Sequence, residues 1–107
     1  MEPLKINEVQ QFLDLHLKNW SIVDGSIKRE FKFRNFVDAF SFMTAVGMEA
    51  EKANHHPDWS NSYNKVNVTL MSHDANGITK NDIDLATKID KMYKNYSQSQ
   101  KKQNMDS

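Results

Sequence analysis

The sequence predicts an α+β fold: a four-stranded antiparallel sheet with three helices packed on one face, in the order α-β-β-α-β-β-α. Three observations carry this reading. The apolar residues switch between a helical period and a period of two along the chain. Turn signals join the strands in pairs, so each pair is a hairpin and the sheet is antiparallel. The length, 107 residues, suits one domain with one core.

Taken in order, Asn7 with Gln10 three residues on reads as an N-cap. Val9, Phe12, Leu13, Leu15 and Leu17 then space a first helix to about Asn19. Trp20 to Val23 is a short strand, and Asp24-Gly25 is a strong hairpin turn. In the next strand Ile27, Phe31 and Phe33 share one parity, while Lys28, Glu30 and Lys32 share the other, the mark of a half-buried strand. Asn35 caps a long helix from Phe36 to about Asn54, which Pro57 stops. This helix is apolar around most of its circumference, which implies burial on more than one side. Gly47 within it costs about 1 kcal/mol relative to alanine, a cost that a close approach of another element would offset. Trp59 to Ser62 forms a third strand, Tyr63-Asn64 a turn, and Val66, Val68 and Leu70 mark a fourth. After a loop at Asp74 to Gly77, Thr79 and Asp82 form a variant capping box. Ile83, Ala86, Ile89, Met92, Tyr93 and Tyr96 then define the last helix. One domain is expected over 1–97, with a polar, disordered tail at 98–107.

Composition excludes several classes. Fourteen basic residues balance fourteen acidic ones, so no bulk field draws the chain to nucleic acid or to an anionic membrane. No cysteine is present, which removes thiolate catalysis, disulfides and cysteine-bound zinc. No apolar run approaches the ~18 residues of a membrane span, and the first residues lack the apolar stretch of a signal peptide. The expectation is a cytoplasmic or nuclear protein.

The chemistry concentrates in the histidines. Three of the four, His55, His56 and His73, fall within one stretch. Imidazole is the side chain whose unperturbed pKa lies near neutrality, and two or more in one pocket can divide proton donation and acceptance. His55 and His56 stand where the long helix ends, and its partial negative charge favours imidazolium. Glu51 precedes His55 by four residues and meets it if the helix persists that far. Strand alternation places His73 opposite Val66, Val68 and Leu70. Either the strand ends before Ser72 or the site lies on the outer face of the sheet.

Plainer readings stand beside these. An adjacent histidine pair before proline is, by itself, more often an exposed loop. Three histidines suit zinc, but no HxH or HxxxH spacing occurs. On spacing alone Asp82 is a capping residue and Glu51 a solvated helix charge. His16 reads as a surface residue. Trp20, Trp59, Tyr93 and Tyr96 read as packing or interface residues.

The run Glu51-Lys-Ala-Asn-His55-His56-Pro57, followed at fixed distances by Tyr63, His73 and Asp82, resembles the signature of the pterin-4a-carbinolamine dehydratases. The likeness extends to Phe36–Met43, to Trp59, to Tyr63–Val66 and to Asp82–Ala86, and covers about residues 5 to 96. It implies a four-stranded antiparallel sheet with three helices. It also implies a lyase that dehydrates 4a-hydroxytetrahydrobiopterin to quinonoid dihydrobiopterin and so recycles the cofactor of aromatic amino acid hydroxylases. No metal or organic cofactor is expected. By the resemblance His55, His56 and His73 line the pterin site, with His56 as base or main pterin contact and His55 and His73 as acids at the hydroxyl. Asp82 orients a histidine, Glu51 supports His55, and Asn54, Ser72 and Asp74 flank the pterin. Asn67 and Met71 depart from the histidine and serine common in animal members. Animal members also serve as dimerization cofactors of a homeodomain transcription factor. A homodimer or homotetramer through the 36–54 helix, or a transcription-factor partner, is therefore expected at the apolar surface around Phe40, Phe42 and Met43.

Overall fold

A computed structural model describes residues 2–96 in full, and residues 97–106 enter only as the continuation of the last helix. The tail expected at 98–107 lies outside the fully described residues. The chain runs α1 (Ile6–His16), β1 (Ser21–Val23), β2 (Ser26–Lys32), α2 (Phe36–Ala53), β3 (Asp58–Ser62), β4 (Lys65–Leu70) and α3 (Lys80–Asp106). The strands form one antiparallel sheet in the order β1-β2-β4-β3, so the two hairpins meet through the central pair β2 and β4. This is the fold class and element order that the sequence predicts.

Local chemistry explains most boundaries. Asp24 and Gly25 both take positive φ, 50° and 77°, as the type I′ turn of a two-residue hairpin requires. Asn35 accepts from the Asp38 N–H at 2.9 Å and caps α2. At the start of α1 the N-cap is Lys5 rather than Asn7, and the third helical residue, Glu8, accepts from the Lys5 N–H. The cap moves because the Glu8 carboxylate can reach back to Lys5 while the first helical turn already includes Asn7.

The end of α2 differs from expectation in a way that matters for the site. Pro57 does not stop the helix; Asn54 does, in the left-handed conformation with φ 51°. The Asn54 N–H bonds to the Glu51 carbonyl and the His55 N–H to the Ala50 carbonyl, the paired bonds of a Schellman closure. Asparagine tolerates this conformation better than most residues. The chain therefore turns away one residue before the histidine pair.

The inner face of the sheet supplies Ile27, Phe31, Val66, Val68 and Leu70 to the core. They pack with Val9 and Leu13 of α1, Ala39, Phe42, Val46 and Ala50 of α2, and Leu85, Ala86 and Ile89 of α3. Phe33, Phe42, Tyr93 and Tyr96 form a mutual aromatic cluster. Burial, and then the Asp38 carboxylate, push the Tyr96 hydroxyl above its ordinary pKa, so it stays neutral in that cluster. Trp20 is buried and donates through Nε1 to Asp90, which also receives Arg29 at 2.7 Å. The Arg29 guanidinium lies 4.4 Å over the Phe31 ring.

Two expectations about α2 change. Phe42 is fully buried in the chain's own core and Met43 is half-buried, so they do not build an exposed face with Phe40. The apolar residues left exposed are Phe36, Val37, Phe40 (57% exposed) and Met48. Leu15, spaced as a core residue of α1, is likewise exposed. Gly47 faces Trp59, but a Cβ there would meet the indole at an ordinary 3.8 Å, so no close approach within the chain requires glycine.

Candidate active site

The turn at Asn54 carries His55 and His56 off α2 toward the loop that follows β4. That strand ends at Leu70, which settles the parity of His73: the strand stops before Ser72, and His73 sits in the loop. The loop is closed by the Ser72 N–H to the Gly77 carbonyl at 2.9 Å and the Asn76 N–H to the His73 carbonyl at 3.2 Å. Ser72 keeps the inward direction of Leu70 and is buried, so His73 points outward.

An open cleft of about 490 Å³ forms between the end of α2, this loop and the first turn of α3. His55, His56 and His73 all line it, as do Asn54 and Asp74. Met71, Ala53 and Asn81 complete the wall. The sequence singled out Met71 only as a departure and missed Ala53 and Asn81. Nothing in their spacing announces them, because they come to the cleft through packing of α2 against α3. Ser72, expected to flank the ligand, lies behind the cleft instead and hydrogen-bonds Thr79 and Asp82.

Asp82 is the best-held group of the site. It is a carboxylate with 0% exposure, and three donors satisfy it. Its Oδ2 accepts from the Thr79 N–H at 2.8 Å and from the Ser72 hydroxyl at 2.9 Å. Its Oδ1 receives His55 Nε2 at 2.5 Å. One side chain therefore both accepts from the N-cap residue of α3 and meets His55 Nε2. A buried carboxylate is stable only with such partners.

Glu51 meets His56, not His55, with Oε1 2.9 Å from Nε2. The Schellman turn is the reason. His55 leaves the helical face on which the four-residue spacing would have brought it to Glu51, and swings instead under α3 to Asp82. His73 Nε2 lies 3.4 Å from the Asp58 carboxylate. Each of the three histidines thus faces a carboxylate through Nε2, which directs the other ring nitrogen, Nδ1, away from that partner. His55 is held most firmly, with its side chain 13% exposed, whereas His56 and His73 are largely solvated.

Among the described residues, no lysine or arginine lines the cleft. Among the described residues no three histidine or carboxylate side chains converge as metal ligands. Among the same residues no helix is long and apolar enough to cross a membrane.

Comparison with known proteins shows what the chain is similar to. The family model described as pterin 4 alpha carbinolamine dehydratase matches residues 2–92. A relative from Prochlorococcus marinus (strain NATL2A), provisionally named a pterin-4-alpha-carbinolamine dehydratase, is 50% identical over 86 residues, 80% of this chain and 90% of its own. A second with the same provisional name, from Mesorhizobium japonicum (strain LMG 29417 / CECT 9101 / MAFF 303099), is 60% identical over 75 residues, 68% of this chain and 76% of its own. A crystal structure from Brucella melitensis, described as a transcriptional coactivator/pterin dehydratase, superposes with a TM-score of 0.82 at 40% identity, covering 86% of this chain and 99% of that one.

Proposed function

The chain belongs to the pterin 4 alpha carbinolamine dehydratase family, and on that premise we propose that it dehydrates 4a-hydroxytetrahydrobiopterin to quinonoid dihydrobiopterin by histidine acid–base catalysis. The observation that carries the reading is the convergence of His55, His56 and His73 on one cleft, each with Nε2 turned to a carboxylate. Loss of the 4a-hydroxyl needs a proton delivered to the departing oxygen. As the C4a–O bond breaks, the N5 lone pair forms the C4a=N5 bond. Loss of the N5 proton to a base completes the reaction. One proton is given and one is taken, so water is the only product besides the dihydropterin.

His55 and His73 serve as donors to the hydroxyl and His56 as acceptor at N5. Asp82 fixes the ring of His55, and Glu51 that of His56. Asn54 and Asp74 contact the pterin ring, while Ser72 acts from behind by holding Asp82. The chemistry calls for no nucleophile or metal ion. In a dehydration assay with the 4a-hydroxypterin, wild type is expected to turn over and His56→Ala to fall by about 10²–10⁴-fold, the usual contribution of one positioned acid or base. Equal rates for the two would sink the assignment of His56.

A protein-binding role is favoured by a separate observation. Phe36, Val37, Phe40 and Met48 stay exposed on α2, and the related Brucella melitensis protein is described as a transcriptional coactivator as well as a dehydratase. Burying this stripe against a second copy gives a homodimer or homotetramer, and the same stripe suits a transcription-factor partner. Light scattering of the purified chain is expected to give at least a dimeric mass. A monomer at high concentration would argue that another protein covers the stripe.

A further inference from the structure

We infer that Asp58 is a positioning residue for His73, a role that rests on the dehydratase reading and adds a third carboxylate to it. The case starts from the loop. The backbone of His73 is fixed by the Ser72–Gly77 bridge and by the bond from the Asn76 N–H to the His73 carbonyl. Its side chain is not. The ring is 74% exposed, and among the described residues its one polar side-chain contact is the Asp58 carboxylate, 3.4 Å from Nε2. A solvated imidazole without such a contact samples several rotamers and presents either nitrogen to the cleft.

Asp58 is itself held by the sheet. It is the first residue of β3 and pairs in register with Thr69 of β4, four residues before His73. It also follows His55, His56 and Pro57 directly. The short segment from Glu51 to Asp58 therefore supplies two of the three histidines and carboxylates to two of the three. Asp82 and Glu51 show the same arrangement at His55 and His56, with a carboxylate at Nε2. Asp58 completes the pattern at the remaining ring and turns Nδ1 of His73 toward the cleft that His73 lines.

Both partners are exposed, so the contact contributes little to folding. Its effect lies in orientation, and the expected size follows from the weakness of a solvated pair. Asp58→Ala lowers kcat for dehydration by about 2–5-fold with little change in KM. Asp58→Glu, which keeps the charge, restores most of the rate. In a His73→Ala background the Asp58→Ala change has no further effect, because the group it orients is gone. At about 1 M salt, where the screening length is ~3 Å, the Asp58→Ala deficit in the otherwise wild-type protein shrinks. An unchanged kcat in Asp58→Ala, or the same loss with and without His73, overturns the inference while leaving the dehydratase reading intact. A wild type without turnover overturns the dehydratase reading itself, and this inference with it.

Discussion

Asp82→Asn is expected to lower kcat for dehydration by about 10²–10⁴-fold while leaving a folded protein. The substitution preserves shape and removes one acceptor. The Thr79 N–H can only donate, so the surviving amide oxygen must stay on the Thr79 and Ser72 side. The new NH₂ group then faces His55 Nε2, where Oδ1 now accepts. A neutral His55 must accept there and carry its proton on Nδ1, and the N–H of a neutral imidazole is too weak an acid to protonate a departing hydroxyl. A protonated His55 would set two donors against each other. Either state spoils His55 as a donor to the substrate hydroxyl. The fold loses one charge-assisted hydrogen bond in a buried site, about 1–3 kcal/mol. Circular dichroism at the assay temperature separates that loss from the catalytic one. Combining Asp82→Asn with His55→Ala should lower the rate no further than His55→Ala alone. A rate within threefold of wild type would mean that Asp82 is a helix cap and nothing more.

Phe31→Ala carries the largest expected effect on stability. Phe31 is the penultimate residue of β2, opposite Val66, and is fully buried. Its ring packs on Trp20, Phe42 and Tyr93 at centroid distances of 6.0, 5.0 and 4.9 Å. It also lies beneath the Arg29 guanidinium. Truncation removes all of these contacts and leaves a cavity between the sheet and two helices. The expected cost is about 3–5 kcal/mol. A small domain has only about 5–15 kcal/mol in total. Chemical denaturation should show a much lower midpoint with an unchanged slope. A cost below about 1.5 kcal/mol would mean that the surrounding aromatic side chains collapse into the space, contrary to the packing described.

The two substitutions probe parts of the molecule that differ in how far the sequence reveals them. The strand containing Phe31 is legible because its inward residues recur at every second position. The hairpin before it is legible because Asp24-Gly25 accepts positive φ at both positions. The cap of α2 is legible because Asn35 and Asp38 stand three residues apart. Each of these signals is local and is set by the geometry of one or two turns of chain. The list of histidines was also legible, since their residue type and spacing match the family signature.

Their partners were not. Sequence spacing assigned Glu51 to His55, on the assumption of a helix continuing past Ala53. A single left-handed residue, Asn54, redirected the chain, so that Glu51 meets His56 and His55 meets Asp82. Asp58 attracted no notice because its partner lies across a strand pair and a loop. Phe42 read as part of an exposed face because helical period reports which residues are apolar, not which side is already covered.

What the sequence by itself determined was the order of elements, the antiparallel pairing of the strands and the three histidines that come to line one cleft. What only the tertiary structure decided was which carboxylate faces which imidazole, where His73 leaves the sheet, and which apolar face of α2 remains open. The physical reason is range. Backbone hydrogen bonds and side-chain periodicity act over a few residues and leave a trace at fixed spacing. The meeting of His55 with Asp82 depends instead on how α2, α3 and the loop after β4 pack around one core.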